Sequence, residues 1–70
     1  MNTYRIVMDP YDKVVSRQPS KDECIRWIKN NKDKLKQLDL EVIVEEVDED
    51  DNVIRWWQQY DFGIDWKERV

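Results

Sequence analysis

The sequence contains no histidine and only one cysteine, Cys24, among its 70 residues. Without histidine, no imidazole is present to activate a serine or cysteine nucleophile. One cysteine cannot form an internal disulfide, and structural zinc needs several cysteine or histidine ligands. These absences predict a domain stabilised by packing in a reducing, cytoplasmic compartment, with no cofactor, no metal site and no catalytic residue. Cys24 itself is expected to be an inert core thiol.

Long apolar runs are also missing. The longest, 6–8 and 42–44, span three residues, whereas a membrane-spanning helix needs about 20. The N-terminus lacks the apolar core of a signal peptide. We therefore expect a soluble protein that has no contact with a membrane. A chain of this length buries only about 60% of the surface that its unfolded form exposes, so no enzymatic pocket and no small-molecule ligand are expected.

Alanine is absent, glycine occurs once and proline twice, whereas lysine, asparagine and isoleucine are frequent. This bias is typical of AT-rich genomes, such as those of low-GC bacteria and their phages. Four tryptophans, three tyrosines and one phenylalanine are present, although disordered chains usually lack aromatic residues. The composition therefore predicts one folded domain over residues 1–70.

Alternating apolar residues predict four strands. The first covers residues 3–8, and a turn at 9–12 returns the chain as a short partner strand over 13–17. A third strand is predicted at 40–45 and a fourth at 53–60. The acidic segment between these last two strands has the composition of a hairpin loop.

A helix is predicted between the two hairpins. Ser20 and Glu23 form the ends of a capping box, so the helix should begin at Lys21 and continue to about Gln37. Asn31 interrupts its apolar stripe and is expected to fray or kink it. The residues of that stripe are Cys24, Ile28, Leu35 and Leu38. The order β-β-α-β-β predicts a two-layer α+β domain, with one helix packed on a small antiparallel sheet.

Adjacent residues of a strand point to opposite faces, so Trp56 and Trp57 cannot both face the helix. Trp56 is in phase with Ile54 and Tyr60 and is assigned to the core. Trp57 is then on the second face of the sheet, with Val53 and the candidates Ile43 and Val7. Residues 61–70, in which Phe62, Ile64 and Trp66 alternate with polar residues, are predicted to form a short edge strand or an extended C-terminal arm.

One helix cannot cover both faces of a sheet. Either the C-terminal arm covers the second face, or that face binds another chain. Because aromatic residues are frequent at binding hot spots, our preferred hypothesis is a small acidic, non-enzymatic protein-interaction domain that binds itself or a protein partner through an aromatic patch. The predicted contact residues are Trp57, Phe62, Ile64, Trp66 and Arg55.

The charges divide unevenly along the chain. Residues 1–37 carry 9 basic and 5 acidic side chains (+4), and residues 38–70 carry 3 and 11 (−8). The first alternative is therefore an acidic nucleic-acid mimic that inhibits a nucleic-acid enzyme by occupying its basic groove. Its acidic surface would comprise Glu41, Glu45, Glu46, Asp48, Glu49, Asp50, Asp51, Asp61 and Asp65. The simpler explanation of this uneven distribution is that the charges keep the domain soluble.

A second alternative is a single-stranded nucleic-acid binder, because Arg55 stands beside Trp56, Trp57 and, further on, Tyr60. The net charge of −4 opposes this alternative. Calcium binding has weaker support still, since the loop from Asp48 has neither the glycine nor the bidentate glutamate of a calcium-binding loop.

Overall fold

Two hairpins supply the four strands of the sheet, and the helices between them cover one face. The computed structural model describes residues 2–9 and 11–65. The elements are β1 (Thr3–Asp9), β2 (Lys13–Gln18), α1 (Lys21–Asn30), α2 (Lys32–Gln37), β3 (Glu41–Val47), β4 (Val53–Gln58) and a 3-10 helix, Gln59–Phe62. The strand order is β2-β1-β3-β4, and all neighbouring strands are antiparallel. The predicted α+β fold with the order β-β-α-β-β is confirmed.

The helix begins where its capping residue predicts. The main-chain N–H of Glu23 donates to the Ser20 hydroxyl at 3.2 Å, which satisfies one of the free N–H groups of the first turn. The single helix predicted to about Gln37 is instead two helices, divided at Asn31. The Asn31 side-chain amide donates to the Trp27 carbonyl oxygen at 2.8 Å, so it competes with the main chain for a helical acceptor.

The core lies between α1, α2 and one face of the sheet. Ile6 of β1 and Val44 of β3 are paired across the sheet and are both fully buried. The buried cluster is completed by Cys24, Ile28, Leu35, Val42 and Ile64. The apolar stripe of the helices therefore packs against the apolar face of β3. Leu38, the last residue of the predicted stripe, remains exposed.

The predicted facing of the two tryptophans in β4 is wrong. Trp57 is paired with the buried Val44 and lies on the helix face, whereas Trp56 is paired with Glu45 on the other face. The cause is an irregularity in the pairing of β3 with β4: Val47 is paired with Val53 but Glu46 with Arg55. One extra residue in β4 shifts the phase of alternation between its two ends.

The C-terminal segment does not form the predicted strand or extended arm as far as residue 65. Residues 59–62 form a 3-10 helix, whose first turn is capped by Asp61, since its carboxylate accepts the Gln58 N–H at 2.9 Å. Gly63 then adopts φ +73°, a left-handed conformation that favours glycine. This turn places Ile64 in the core. Trp66 and the remainder of the predicted arm lie outside the described residues.

The described helices contain ten and six residues in α1 and α2. Neither is long and apolar enough to cross a bilayer.

Candidate protein-binding surface

The face of the sheet opposite the helices is called the open face here. The strand pairings place Arg5, Val7, Val14, Arg17, Ile43, Glu45, Val47, Val53 and Trp56 on it. Its central strands are β1 and β3, and its outer strands are β2 and β4. No helix of the described segments packs on this side. Val7 and Val47 are nevertheless buried, whereas Val53 and Trp56 are exposed.

An ion pair occupies the centre of the open face. The Arg5 Nε atom lies 2.7 Å from a carboxylate oxygen of Glu45, and each side chain is about one-fifth exposed. Beside it, an open hollow of about 330 Å³ extends over Val7 and is bordered by Asp12 and Val14. Because the two central charges bind each other, the face is close to neutral at its centre.

Three of the six large apolar side chains that are exposed among the described residues lie on β4. Val53 is 43% exposed, Ile54 47% and Trp56 57%. β4 is an outer strand, and among the residues that the structure describes only β3 pairs with it. An outer strand of this kind offers a partner both apolar side chains and main-chain hydrogen-bonding groups.

Trp57, a predicted contact residue, instead packs within the domain. Its ring stacks on Tyr4, with centroids 6.5 Å apart, and lies 6.4 Å from the ring of Phe62. The ammonium group of Lys21 lies 4.9 Å from the centroid of the Trp57 ring, a cation–π geometry. Trp57 is half-buried as a result.

Three other predicted contact residues, all within the described segments, likewise contact their own chain. Phe62 packs against the core, and Ile64 is part of it. Arg55 forms an ion pair with Glu46 at 3.1 Å, so its guanidinium already has a carboxylate partner. The predicted contacts omit Trp56 because no sequence signal marks the phase shift in β4.

The predicted acidic surface is divided among several parts of the molecule. Glu45 lies on the open face, whereas Glu46 lies on the opposite face, 7% exposed, and accepts a hydrogen bond from Asn2 at 2.8 Å. Glu41 accepts a hydrogen bond from the Tyr60 hydroxyl, and Asp61 caps the 3-10 helix. These carboxylates support the fold locally and do not form one continuous array.

Of the remaining predicted acidic residues, four lie in the turn between β3 and β4, residues 48–52, called the acidic turn here, and Asp65 lies beyond the 3-10 helix. One carboxylate oxygen of Asp48 accepts the N–H groups of Asp50 at 2.8 Å and Asn52 at 2.9 Å. Donation by Asn52, above all, holds the pKa of the Asp48 carboxyl below its usual value. A carboxylate oxygen of Asp51 lies 3.6 Å from the Arg17 Nη1 atom. This ion pair connects the acidic turn to a residue of the open face.

Cys24 lies in the core, as predicted. It is fully buried beside Ile28, and burial raises the pKa of the thiol from its ordinary value of 9.0 to about 11. A thiol is a weak nucleophile at neutral pH in this state. Within residues 2–9 and 11–65, no group of three or more Cys, Asp or Glu side chains is arranged to hold a metal ion.

Comparison with known proteins gives no match to a family model, to a curated protein or to a solved structure. The surface around β4 is therefore the basis for inferring a function.

Proposed function

We propose that the chain is a non-enzymatic protein-interaction domain, and that its partner binds along β4 and the adjoining part of the open face. The observation that carries this proposal is the exposure of Trp56 on an outer strand, next to Val53 and Ile54. Tryptophan is frequent at binding hot spots because it buries a large area with little loss of side-chain freedom.

The two outer strands differ in how well they are protected against pairing with a strand of another chain. β2 begins with Lys13 and carries Arg17, and charged residues on an outer strand discourage unwanted pairing. The single charged residue of β4 is Arg55, and it is bound to Glu46. β4 is thus the strand that accepts an added strand more readily. The partner in this proposal contributes an extended segment, which pairs with the main-chain edge of β4 ahead of Gln58, where no described strand lies.

The charges around β4 favour a basic partner segment. The acidic turn, with four carboxylates in residues 48–51, leads directly into β4. A segment that alternates apolar residues with lysine or arginine would bring apolar side chains to Trp56 and positive charges toward this turn.

A different protein suits this edge better than a second copy of the chain. Two copies of β4 joined antiparallel about Trp56 would bring the acidic turn of one copy beside Asp61 at the other end of its partner's strand. Negative charges would then face each other at both ends of the interface, which disfavours self-association.

The test is a selection of binders from a displayed library of random linear peptides, using the whole chain as the target. Enriched peptides are then measured against wild type and Trp56→Ser by calorimetry. Tyr11→Ser is the matched control, because Tyr11 is 69% exposed and lies in the β1–β2 turn, away from β4. Amide NMR shifts on binding locate the contact.

We expect the selected peptides to be rich in basic and β-branched or aromatic residues. They should shift the amides of β4 and bind Trp56→Ser at least about 30-fold more weakly, while Tyr11→Ser binds normally. Peptides without a basic preference, or binding that is insensitive to Trp56, would overturn the proposal. A concentration-dependent dimer that is lost in Trp56→Ser would replace the basic partner with a second copy.

A further inference from the structure

A second concave surface lies between α2 and the β1–β2 hairpin, on the helix side of the sheet and away from β4. It is a groove of about 340 Å³, lined by apolar side chains that include Trp27, Leu38 and Leu40. Leu38, at the end of α2, is 56% exposed. The groove is located where the helical layer is divided at Asn31, so the helices leave this part of the sheet incompletely covered.

The charge around this groove is opposite to that of the chain. The protein has a net charge of −4, but the described residues that line the groove include Lys13 and Lys34 and no acidic residue. Both lysines are exposed. Asn31, also in the lining, donates its side-chain amide to the Trp27 carbonyl oxygen. The groove therefore combines an apolar lining with positive charge at two points.

We propose that this groove binds a small amphipathic anion, a molecule with an apolar body and one carboxylate. Its volume is at the lower end of the range of about 300–1,000 Å³ that is typical of ligand pockets, which suits a short acyl chain. The apolar body lies against Trp27 and Leu38, and the carboxylate is held by Lys13 and Lys34. This inference is independent of the function proposed for β4, and it differs from the absence of a small ligand expected from chain length.

Three eight-carbon probes test the proposal: octanoate, the neutral octanol and the cationic octylamine. Binding is followed by the NMR signal of the Trp27 indole N–H, which Trp27→Phe identifies. The test variant is Lys13→Gln with Lys34→Gln. The matched control is Lys29→Gln with Lys36→Gln, which makes the same change of net charge at exposed helix positions outside the lining.

We expect octanoate to bind more tightly than octanol and octylamine to bind most weakly. The test variant should weaken octanoate about fivefold, because each exposed charge contributes modestly, and should leave octanol unchanged. Leu38→Asp, which places a carboxylate in the lining, should abolish octanoate binding. The proposal is overturned if octanoate does not shift the Trp27 signal, if octanol binds as tightly, or if the control variant weakens octanoate equally.

Discussion

Trp57 and Tyr4 stack across the strand that separates them, with ring centroids 6.5 Å apart and ring planes 27° from parallel. Tyr4 belongs to β1 and Trp57 to β4, and β3 lies between these strands. Phe62 approaches the same indole from the 3-10 helix, and Lys21 from the first turn of α1. Trp57 thus connects the outer strand to three other parts of the fold.

Replacing Trp57 should weaken the whole domain. Trp57→Ala removes the contacts with Tyr4 and Phe62 together, and we expect the free energy of unfolding to fall by about 2–4 kcal/mol. Trp57→Phe retains an aromatic ring and should lose less. Urea unfolding followed by circular dichroism measures both changes. An unchanged midpoint for Trp57→Ala would show that these ring contacts contribute little.

The neighbouring residue should behave in the opposite way. Trp56 lies on the open face and is largely exposed, so Trp56→Ser should change the free energy of unfolding by no more than about 1 kcal/mol. Under the proposed function, the same variant should lose at least about 2 kcal/mol of binding free energy. Melting curves recorded beside the peptide titrations separate the two effects. A Trp56→Ser protein that unfolds would assign this residue to structure.

The difference between these tryptophans shows what local sequence patterns reveal. Alternation correctly predicts that adjacent residues of β4 occupy opposite faces. It cannot say which residue faces the helix, because an extra residue at Ile54 changes the phase of the strand. The position of that irregularity depends on how β4 pairs with β3, which is a long-range property.

Local sequence signals correctly predict those features that depend on residues close together in the chain. Ser20 caps α1, and Asn31 divides the helical segment, each through a hydrogen bond to a residue three or four positions away. The C-terminal segment was different. Its apolar alternation predicts a strand, but the capping by Asp61 and the left-handed Gly63 turn the chain so that Ile64 enters the core.

The buried thiol should make stability depend on alkaline pH. Burial raises the folded-state pKa of Cys24 from 9.0 to about 11, so its contribution is fully present below pH 9 and is lost as the pH rises through 11. Cys24→Ala should lower the free energy of unfolding at neutral pH because it leaves a small cavity. It should also show a weaker alkaline decline than wild type. Chemical unfolding at several pH values tests this prediction. If the free energy of unfolding fell equally in wild type and Cys24→Ala above pH 9, the raised pKa assigned to the buried thiol would be contradicted.

The stability of the acidic turn should depend on the Asp48 carboxylate. Because its folded-state pKa is lowered, its contribution is present above the ordinary value of 3.8 and is lost as the pH falls through the lower, folded-state value. Asp48→Ala removes the acceptor for the Asp50 and Asn52 N–H groups and should lower the melting temperature at neutral pH.

Asp48→Asn separates charge from hydrogen bonding in that turn. Its amide oxygen can accept the same N–H groups, so the melting temperature should fall less than in Asp48→Ala. Because an amide does not titrate, the part of the pH dependence of the melting temperature that comes from this position should vanish. Asp50→Asn is the control, since the Asp50 side chain is exposed. Thermal melts from about pH 2 to pH 7 distinguish the variants. Equal losses in the Ala and Asn variants would refute the role of the accepted hydrogen bonds.

Gln59 offers the sharpest test of polar burial in this domain. It is 1% exposed, and its side-chain oxygen accepts the Val42 N–H at 3.0 Å. Its amide nitrogen has no hydrogen-bond partner among the described residues. Gln59→Leu loses the bond to Val42 but also removes the unpaired amide. These effects oppose each other, so the free energy of unfolding should change by no more than about 1–2 kcal/mol.

Gln59→Glu should be much more damaging at neutral pH, although it differs from glutamine by only a few atoms. A carboxylate placed there would be buried without a cation, which costs about 3 kcal/mol or more. Burial raises the pKa of such a carboxyl, so the loss should shrink as the pH falls below that raised value and the group becomes neutral. Urea unfolding at about pH 4 and pH 7, compared with Gln59→Leu, measures this difference. A glutamate variant as stable as wild type at pH 7 would mean that this site admits water or a compensating charge, and Gln59 would then not belong to the buried core.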